Sequence, residues 1–266
     1  MILFAYADKL WFVGMFFCYF YSIIIVMEYK YTGIILNKKD IGETDRIYNI
    51  YTLEEGKISA IARGVRKPRA KLAGHLENFY LVDLTIMKNR GMGNIASSIV
   101  EKNFKGLKND FESLEKVFQT VRIMGRLIKD QERDFKVFFL FLEYLETLNK
   151  ISENSSINNE QRSLINQGFL FKLLDLLGYK LEIGRCVDCQ GQLTSENNFF
   201  DCNRGGVVCG KCAFKGGNLL SIGNNSIKVI RIFFKNEIKN LLKLKISKRE
   251  SRELVRVSDS FIKWIC

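Results

Sequence analysis

Proline and histidine are nearly absent from this chain of 266 residues, and one of each occurs. Average proline usage is about 5%, so a single proline excludes proline-rich linkers and collagen-like structure. With His75 as its one histidine, the sequence lacks the partners that a histidine-based catalytic triad or a histidine-rich metal centre requires. The GxxxxGK[S/T] motif of ATP-driven motors is also missing. Because no convergent acid, base or nucleophile can be named, we expect a binding protein and not an enzyme.

Positive charge is abundant. The sequence has 41 Lys and Arg against 29 Asp and Glu, which gives a formal net charge of +12 and a pI of about 9.3. This excess favours a polyanionic partner, either nucleic acid or an anionic membrane surface. Hydrophobic residues make up 47% of the chain, which is typical of a folded globular protein. The length fits two domains with room for a small additional module.

The first 26 residues differ from the remainder. Residues 10–27 carry no charge, and their number is at the lower end of the about 17–25 residues of a transmembrane helix. Residues 1–26 are therefore either a membrane anchor, which would keep the basic remainder on the cytoplasmic side, or the product of a misassigned start upstream of Met27. We favour the misassigned start, because a strand-forming soluble segment begins directly after Met27 with no stop-transfer cluster of basic residues.

Two types of periodicity divide the rest of the chain. Residues 27–105 contain short β-branched and aromatic runs separated by turn signals, at 31–36, 46–52, 57–62, 78–87 and 94–100. Five such strands fit a small Greek-key barrel of the OB-fold type, with an open five-stranded sheet as the alternative. Residues 106–266 predict a helical domain, with helices over 111–130, 134–151, 161–177 and 225–265. The predicted fold class is therefore α+β.

Five of the seven cysteines lie between positions 186 and 212. The pairs Cys186-x-x-Cys189 and Cys209-x-x-Cys212 flank residues 190–208, the spacing of a zinc site with four cysteine ligands. Four protein ligands leave no open coordination position, so we predict one structural Zn²⁺ in a module over residues 183–215 that is inserted into the helical domain. The alternatives are a redox CxxC motif and a pair of disulfides.

The surroundings of these cysteines add two expectations. Arg185, Arg204, Lys211 and Lys215 are placed to offset the negative charge of a four-thiolate site, and Cys202 is a spare thiol. An odd number of clustered cysteines argues against a secreted, disulfide-bonded protein. We therefore expect a reducing, cytoplasmic location.

A basic segment without any acidic residue follows the third predicted strand. Between positions 57 and 71 it contains Lys57, Arg63, Arg66, Lys67, Arg69 and Lys71. A basic loop at the rim of a small barrel can follow a phosphate backbone, and Lys88 and Arg90 would extend it. The alternative is a solvated charged turn. The helical tail over residues 228–256 is a second, weaker basic candidate, and His75 beside the loop is expected to pack or to bind phosphate.

Four aromatic residues near the basic segment are candidates for stacking on nucleic-acid bases, as in many OB-folds. They are Tyr31, Tyr48, Phe79 and Tyr80. For each of them the alternative is a place in the barrel core, and for Phe79 we favour the core.

Three strings of this sequence resemble the RecO family of bacterial recombination mediators. They are YTGIILNKKDIGETDRIYNIYTLEEGKISAIARGVRKPRAKL, FLFKLLDLLGYKLEIGRCVDC and GGVVCGKC, in the family's order. The resemblance covers residues 27–263. It implies an N-terminal OB-fold, a helical domain and a zinc module set into that domain, with the four CxxC cysteines as ligands.

The resemblance also implies a function without enzymatic activity. Family members bind single- and double-stranded DNA, anneal complementary strands, and act with RecR to load RecA onto strands coated by single-strand-binding protein (SSB), whose C-terminal tail binds the helical domain. Arg63, Arg66, Lys67, Arg69 and Lys71 would contact DNA. Two other functions remain open from the residues alone: a zinc-ribbon RNA-binding protein of the translation apparatus, and a membrane-anchored protein.

Overall fold

The computed structural model describes residues 27–88, 91–153, 158–194, 197–213 and 219–266. The expectation of an anchor or a misassigned start at residues 1–26 therefore lies outside the described residues. Within the described ranges, no helix combines the length and the apolar character that crossing a membrane requires.

The N-terminal part is a closed five-stranded barrel. Its strands are β1 (Met27–Ile41), β2 (Asp45–Thr52), β3 (Gly56–Ala62), β4 (Leu81–Lys88) and β5 (Gly93–Lys102), joined in the order β1-β2-β3-β5-β4. Side chains alternate along the strands, so that Tyr48, Ile50 and Ile58 fill the interior while their neighbours point outward. The predicted barrel is thus confirmed, and the open sheet is excluded.

The barrel closes through a short parallel seam between β3 and β5. Ala60 pairs with Gly93 and Ile61 with Asn94, and beyond these pairs each strand overhangs the other. Other elements cover the overhangs. A 3₁₀ helix at Ala73–His75 lies beside β5, where the Nδ1 of His75 is 2.9 Å from the Ser98 carbonyl oxygen.

Helices and a second sheet form the remainder of the chain. The helices are α1 (Lys105–Asn109), α2 (Phe111–Leu127), α3 (Phe135–Ser152), α4 (Asn159–Leu176), α5 (Gly210–Ala213), α6 (Asn224–Lys235) and α7 (Lys248–Ile265), with a 3₁₀ helix at Ile238–Lys243. The strands β6 (Asn198–Asp201), β7 (Gly206–Cys209) and β8 (Leu219–Ile222) form an antiparallel sheet in the order β7-β6-β8.

The prediction of helix throughout 225–265 is wrong in one respect, because the run is broken. α6 ends at Lys235, because the backbone of the next residue, Asn236, is extended. Lys172 donates to the carbonyl oxygens of Phe233 and Asn236 at this end. α7 begins anew at Ser247, which forms a capping box with Glu250. Local caps therefore override the continuous helical periodicity.

A continuous hydrophobic cluster joins the barrel to the helices. The ring of Tyr51 stacks on Phe138 with centroids 6.2 Å apart, and Phe79 meets Phe118 edge-on at 4.8 Å. The overhang of β3 belongs to the same junction, because the Gln131 N–H donates to the Lys57 carbonyl oxygen at 2.9 Å. The connection between α2 and α3 thus completes the edge of the barrel.

Lys57 itself does not belong to the basic surface, contrary to its inclusion in the basic segment. Its ammonium donates to the carbonyl oxygens of Gly125 at 3.1 Å and Ile128 at 2.7 Å, and lies 3.1 Å from the carboxylate of Asp130. A cation at the carboxyl end of a helix satisfies free carbonyl groups and interacts favourably with the helix dipole. Lys57 therefore attaches the barrel to α2.

Replacement of Gly56 by alanine tests this junction. Gly56 has a φ of +72°, and a Cβ atom there would lie 2.2 Å from the Glu132 carbonyl oxygen. Gly42, with a φ of +55° and no atom within 4 Å of its Cβ position, is the matched control. Both substitutions carry a left-handed backbone cost of about 1–2 kcal/mol. Gly56→Ala should lower the free energy of unfolding in urea by about a further 1–3 kcal/mol through overpacking. Equal losses for the two variants would contradict the proposed close contact.

Candidate metal centre and nucleic-acid interface

Two tight turns carry the four cysteines. In the first turn, the Cys186 N–H donates to the Gly191 carbonyl oxygen at 3.0 Å and the Gln190 N–H donates to the Cys186 carbonyl oxygen at 2.9 Å. Gln190 adopts a φ of 58°, which closes the turn and returns Cys189 towards Cys186. In the second turn, Cys209 ends β7 and Cys212 lies on α5.

The sequence prediction of a four-cysteine cluster is confirmed by the geometry. The four Sγ atoms lie within 4.8 Å of one another, and those of Cys189 and Cys209 are 3.9 Å apart. Four thiolates about 2.3 Å from a tetrahedral metal ion are separated by about 3.8 Å, so the cluster fits such an ion. All cysteines of the described residues are free thiols. These four cysteines could therefore hold a metal ion.

The pKa values of the Cys186 and Cys212 thiols are shifted in opposite directions. Burial works to raise the pKa of Cys186, yet backbone N–H groups of Asp188, Cys189 and Cys209 outweigh it and lower that pKa to about 6. A hydrogen bond to Asp188, followed by burial, raises the pKa of Cys212. A bound cation would displace the protons that remain, because metal ligation requires the thiolate form.

The expected charge compensation by Arg204 takes a different form. Its Nε lies 2.7 Å from the Asp201 carboxylate and its Nη1 lies 3.3 Å from that of Asp188. Arg204 therefore links the β6–β7 turn to the first cysteine turn, and the carboxylates of Asp201 and Asp188 balance its positive charge. Arg185 and Lys211 are exposed beside the cysteines, whereas Lys215 lies outside the described residues.

The module formed by the two cysteine turns and strands β6 to β8 is attached to the helical domain by polar and aromatic contacts. Arg231 of α6 donates to the carbonyl oxygen of Ile183 at 3.0 Å through Nε, immediately before the first cysteine turn. The ring of Phe200 on β6 meets Phe261 of α7 at right angles, with centroids 5.9 Å apart. The N–H of Gly223, which precedes α6, donates to the buried carboxylate of Glu253 at 2.8 Å. The cysteine turns thus rest on α6 and α7.

The basic segment forms an exposed loop between β3 and the 3₁₀ helix at Ala73–His75. The buried side chains of Val65, within the loop, and Leu76, directly after the 3₁₀ helix, anchor it in the barrel core. Its first turn is held against the β1–β2 hairpin, where the Gly64 N–H donates to the Asp45 carboxylate at 2.7 Å and the Arg66 N–H donates to the Thr44 carbonyl oxygen at 2.9 Å. The hydrogen bond from Gly64 is the main reason that the pKa of Asp45 lies below its usual value.

The cations of this loop fall into two groups. Arg66 donates to the Gly42 carbonyl oxygen at 3.1 Å and lies 3.3 Å from Asp40, so part of its charge is used to hold the loop. The other four side chains are exposed, and in the part of the chain that the structure describes they form no ion pair. They are Arg63, Lys67, Arg69 and Lys71. These four are free to meet an external anion.

Lys88 and Arg90 are the two residues that were expected to extend the basic loop. Lys88 lies in a half-buried cluster, 2.9 Å from both the Glu55 carboxylate and the hydroxyl of Tyr31. Its charge is balanced inside the barrel, where it stabilises the β2–β3 turn, so it is not available to DNA. Arg90 lies outside the described residues.

Base stacking by the nearby aromatic residues is not supported. Three of them are buried, namely Tyr31, Tyr48 and Phe79, with exposed fractions of 5%, 0% and 0%. Tyr80 is half-buried, and the ammonium of Lys108 covers its ring at 3.5 Å from the centroid. The alternative assignment to the barrel core is therefore correct for Tyr31 and Tyr48, because the hydrophobic interior of a small barrel requires large side chains. Phe79 is also buried, but in the cluster that joins the barrel to the helices.

Sequence reasoning missed the residues that hold the basic loop in place. Asp45 and Asp40 belong to the β1–β2 hairpin, yet they bind Gly64 and Arg66 of the loop. No local pattern in the sequence marks these pairs, because the barrel topology alone brings the hairpin beside the end of β3.

This protein has a closed OB-type barrel with a cationic loop, joined to a helical domain that carries a four-cysteine cluster. That combination of domains defines its class. Residues 27–104 match the family model for the N-terminal domain of recombination protein O, and residues 121–265 match that for its C-terminal domain. The chain therefore belongs to the RecO family. This membership assigns it to DNA repair and recombination.

Curated relatives agree with this assignment over most of their length. A DNA repair protein RecO from Dehalococcoides mccartyi strain 195 is 28% identical over 227 residues, which cover 85% of this chain and 86% of the relative. The RecO of Acetivibrio thermocellus is 26% identical over 234 residues, covering 88% and 90%. That of Halalkalibacterium halodurans is 24% identical over 215 residues, covering 81% of each chain.

Metal removal tests the cysteine cluster. Cys186→Ser should abolish stoichiometric metal binding and lower the stability of the module by about 3 kcal/mol or more, since structural metal binding contributes directly to folding. Cys202→Ser is the control, because Cys202 is a half-buried thiol outside the cluster. Metal content by mass spectrometry and thermal unfolding with and without a chelator give the two readouts. Equal metal loss in both variants would contradict the assignment of the four ligands.

Proposed function

We propose that this protein is a non-enzymatic recombination mediator that binds single- and double-stranded DNA and anneals complementary strands. The observation that carries the proposal is the cluster of exposed, unpaired cations at the barrel rim, Arg63, Lys67, Arg69 and Lys71. Family membership supplies the biological setting of DNA repair. A cytoplasmic, nucleoid-associated location belongs to the same proposal.

The mechanism is electrostatic. Each cation that contacts a phosphate releases condensed counterions, so binding is sequence-tolerant and weakens steeply as salt rises. Neutralising part of the backbone charge lowers the repulsion between two strands and lets complementary bases meet. No step requires nucleotide hydrolysis. Arg66 acts as a positioning residue, because its contacts with Asp40 and Gly42 hold the loop.

We also propose that the metal is a single Zn²⁺. Four thiolates are the preferred ligands of structural zinc, and a closed set of four leaves no position for water or substrate. The ion would hold the two cysteine turns together and thereby stabilise the β6–β8 sheet on α6 and α7. It would take no part in chemistry on DNA.

The partners follow from the family resemblance. We propose that RecR joins the protein on DNA, that the helical domain receives the C-terminal tail of SSB, and that RecA is loaded as an indirect consequence. No small-molecule substrate enters this scheme.

Annealing is the direct test of the proposed function. Protein beginning at Met27 should accelerate the annealing of two complementary DNA strands without ATP, and the acceleration should fade across a series of increasing salt concentrations. Fluorescence quenching between labelled strands measures the rate. Failure of folded, metal-loaded protein to accelerate annealing would contradict the proposal and favour RNA or another protein as the partner.

Charge reversal in the loop tests where DNA binds. Lys67→Glu with Arg69→Glu should weaken DNA binding by about 10–100-fold and reduce the slope of log affinity against log salt by about 2. Arg252→Glu with Lys263→Glu makes the same change in net charge at two exposed cations of α7 that are unpaired within the part of the chain that the structure describes. Fluorescence anisotropy should show a smaller effect for this control. A larger effect at α7 would move the interface from the barrel to the helical tail.

A further inference from the structure

We propose that Asp188 is a reserve ligand of the metal centre, whose carboxylate replaces the Cys212 thiolate when that thiolate is not bound. The inference rests on the proposed zinc site and goes beyond it by adding an oxygen donor to the four thiols. Asp188 lies in the first cysteine turn, between Cys186 and Cys189. The module therefore offers five donors to an ion that takes four.

The backbone of the first cysteine turn brings Asp188 to the cluster. Its N–H donates to the Sγ of Cys186, as do the N–H groups of Cys189 and Cys209, the last at 3.3 Å. The turn is closed by the hydrogen bond from the Gln190 N–H to the Cys186 carbonyl oxygen. One turn thus carries two thiols and a carboxylate to the same centre.

The carboxylate of Asp188 lies against Cys212. It accepts a hydrogen bond from the Cys212 thiol, and its Oδ1 lies 3.3 Å from the Nη1 of Arg204. The Asp188 side chain is 32% exposed, and an ion pair in contact with solvent is weak. Arg204 therefore holds the carboxylate beside the thiol without preventing its movement onto a bound cation.

A second acid of the module, Asp201, is not available in this way. It is 5% exposed, and its Oδ1 accepts the N–H groups of Asn203 and Arg204. Its Oδ2 lies 2.7 Å from the Nε of Arg204. Breaking these contacts would leave buried polar groups without partners, which is costly. Of the two carboxylates, that of Asp188 is the one free to change partner.

Cys212 lacks the backbone support that Cys186 has. The N–H groups around Cys186 stabilise its thiolate directly. In the part of the chain that the structure describes, no backbone N–H donates to Cys212, whose hydrogen-bond partners are Asp188 and the other three thiols. A thiolate at this position also lies beside a carboxylate of like charge. Cys212 is therefore a ligand that the centre can lose at a smaller cost than Cys186.

Charge and size favour the exchange as well. Four thiolates on a divalent cation leave a net negative charge, to which the free Asp188 carboxylate adds. When that carboxylate is the fourth ligand in place of a thiolate, the centre keeps the same charge and no free acid remains beside it. Carboxylate oxygen binds Zn²⁺ at about 2.0–2.2 Å, close to the distance of about 2.3 Å for a thiolate, so a tetrahedral arrangement is retained.

Removal of two equally buried cysteines tests the inference. Cys212 and Cys209 have exposed fractions of 7% and 6%, so loss of either side chain leaves a similar gap. Cys212→Ala should still bind one cobalt(II) ion, about 10–100-fold more weakly than the unchanged protein. Its sulfur-to-cobalt absorption should fall by the contribution of one thiolate. Cys209→Ala should bind at least about tenfold more weakly than Cys212→Ala, because the carboxylate lies at Cys212.

A double-mutant cycle identifies the replacing ligand. Asp188→Asn keeps the shape of the side chain and removes its charge. It should weaken cobalt binding at least about tenfold more in Cys212→Ala than in the unchanged protein. Circular dichroism in excess cobalt monitors folding. Equal effects in both backgrounds, equal binding by Cys212→Ala and Cys209→Ala, or failure of Cys212→Ala to fold and bind in excess cobalt would each overturn the inference.

The unchanged protein separates this inference from the proposed zinc site. If it binds no metal, the zinc site itself fails and the inference falls with it. If it binds one ion while Cys212→Ala binds none, the four-thiol site stands and the reserve ligand alone is refuted.

Discussion

The short seam between β3 and β5 is the constraint on which the rest of the structure depends. Two parallel residue pairs, Ala60 with Gly93 and Ile61 with Asn94, close the barrel, so each strand leaves an unpaired overhang. Unpaired strand edges need partners. The α2–α3 connection pairs with β3 through Gln131, which fixes the helical domain. The segment that ends at His75 covers β5, which fixes the basic loop.

This arrangement explains why some cations are structural and others are available. Lys57 and Lys88 lie where the barrel meets other elements, and each satisfies carbonyl or carboxylate oxygens there. Leaving those oxygens buried without a partner would cost more than the cations gain from solvent. Lys67 and Arg69 lie beyond the last contact of the loop with the hairpin, so their charges remain for an external polyanion.

The module that carries the four cysteines has a different source of stability. A metal ion held by the cysteines would stabilise it, because its sheet is small. Strands of four residues bury little apolar surface, and such a module needs a metal or a larger partner to remain folded. Here a four-thiol cluster that could hold a metal ion lies on one side of the sheet, and Phe261 and Arg231 of the helices lie on the other. We therefore interpret the cysteine turns as part of the helical domain's architecture.

The sequence by itself determined the five strands, three of the helices, the four-cysteine cluster and the family, because periodicity, turn residues and CxxC spacing are local signals. Only the tertiary structure decided which cations are free and which aromatic residues are buried. In the sequence, Lys57 and Lys67 both belong to the basic segment, and Tyr48 is a candidate for base stacking. Only the closed barrel shows that Lys57 is paired and that Tyr48 is buried. Pairing between distant segments sets burial and ion pairing, and no local pattern records it.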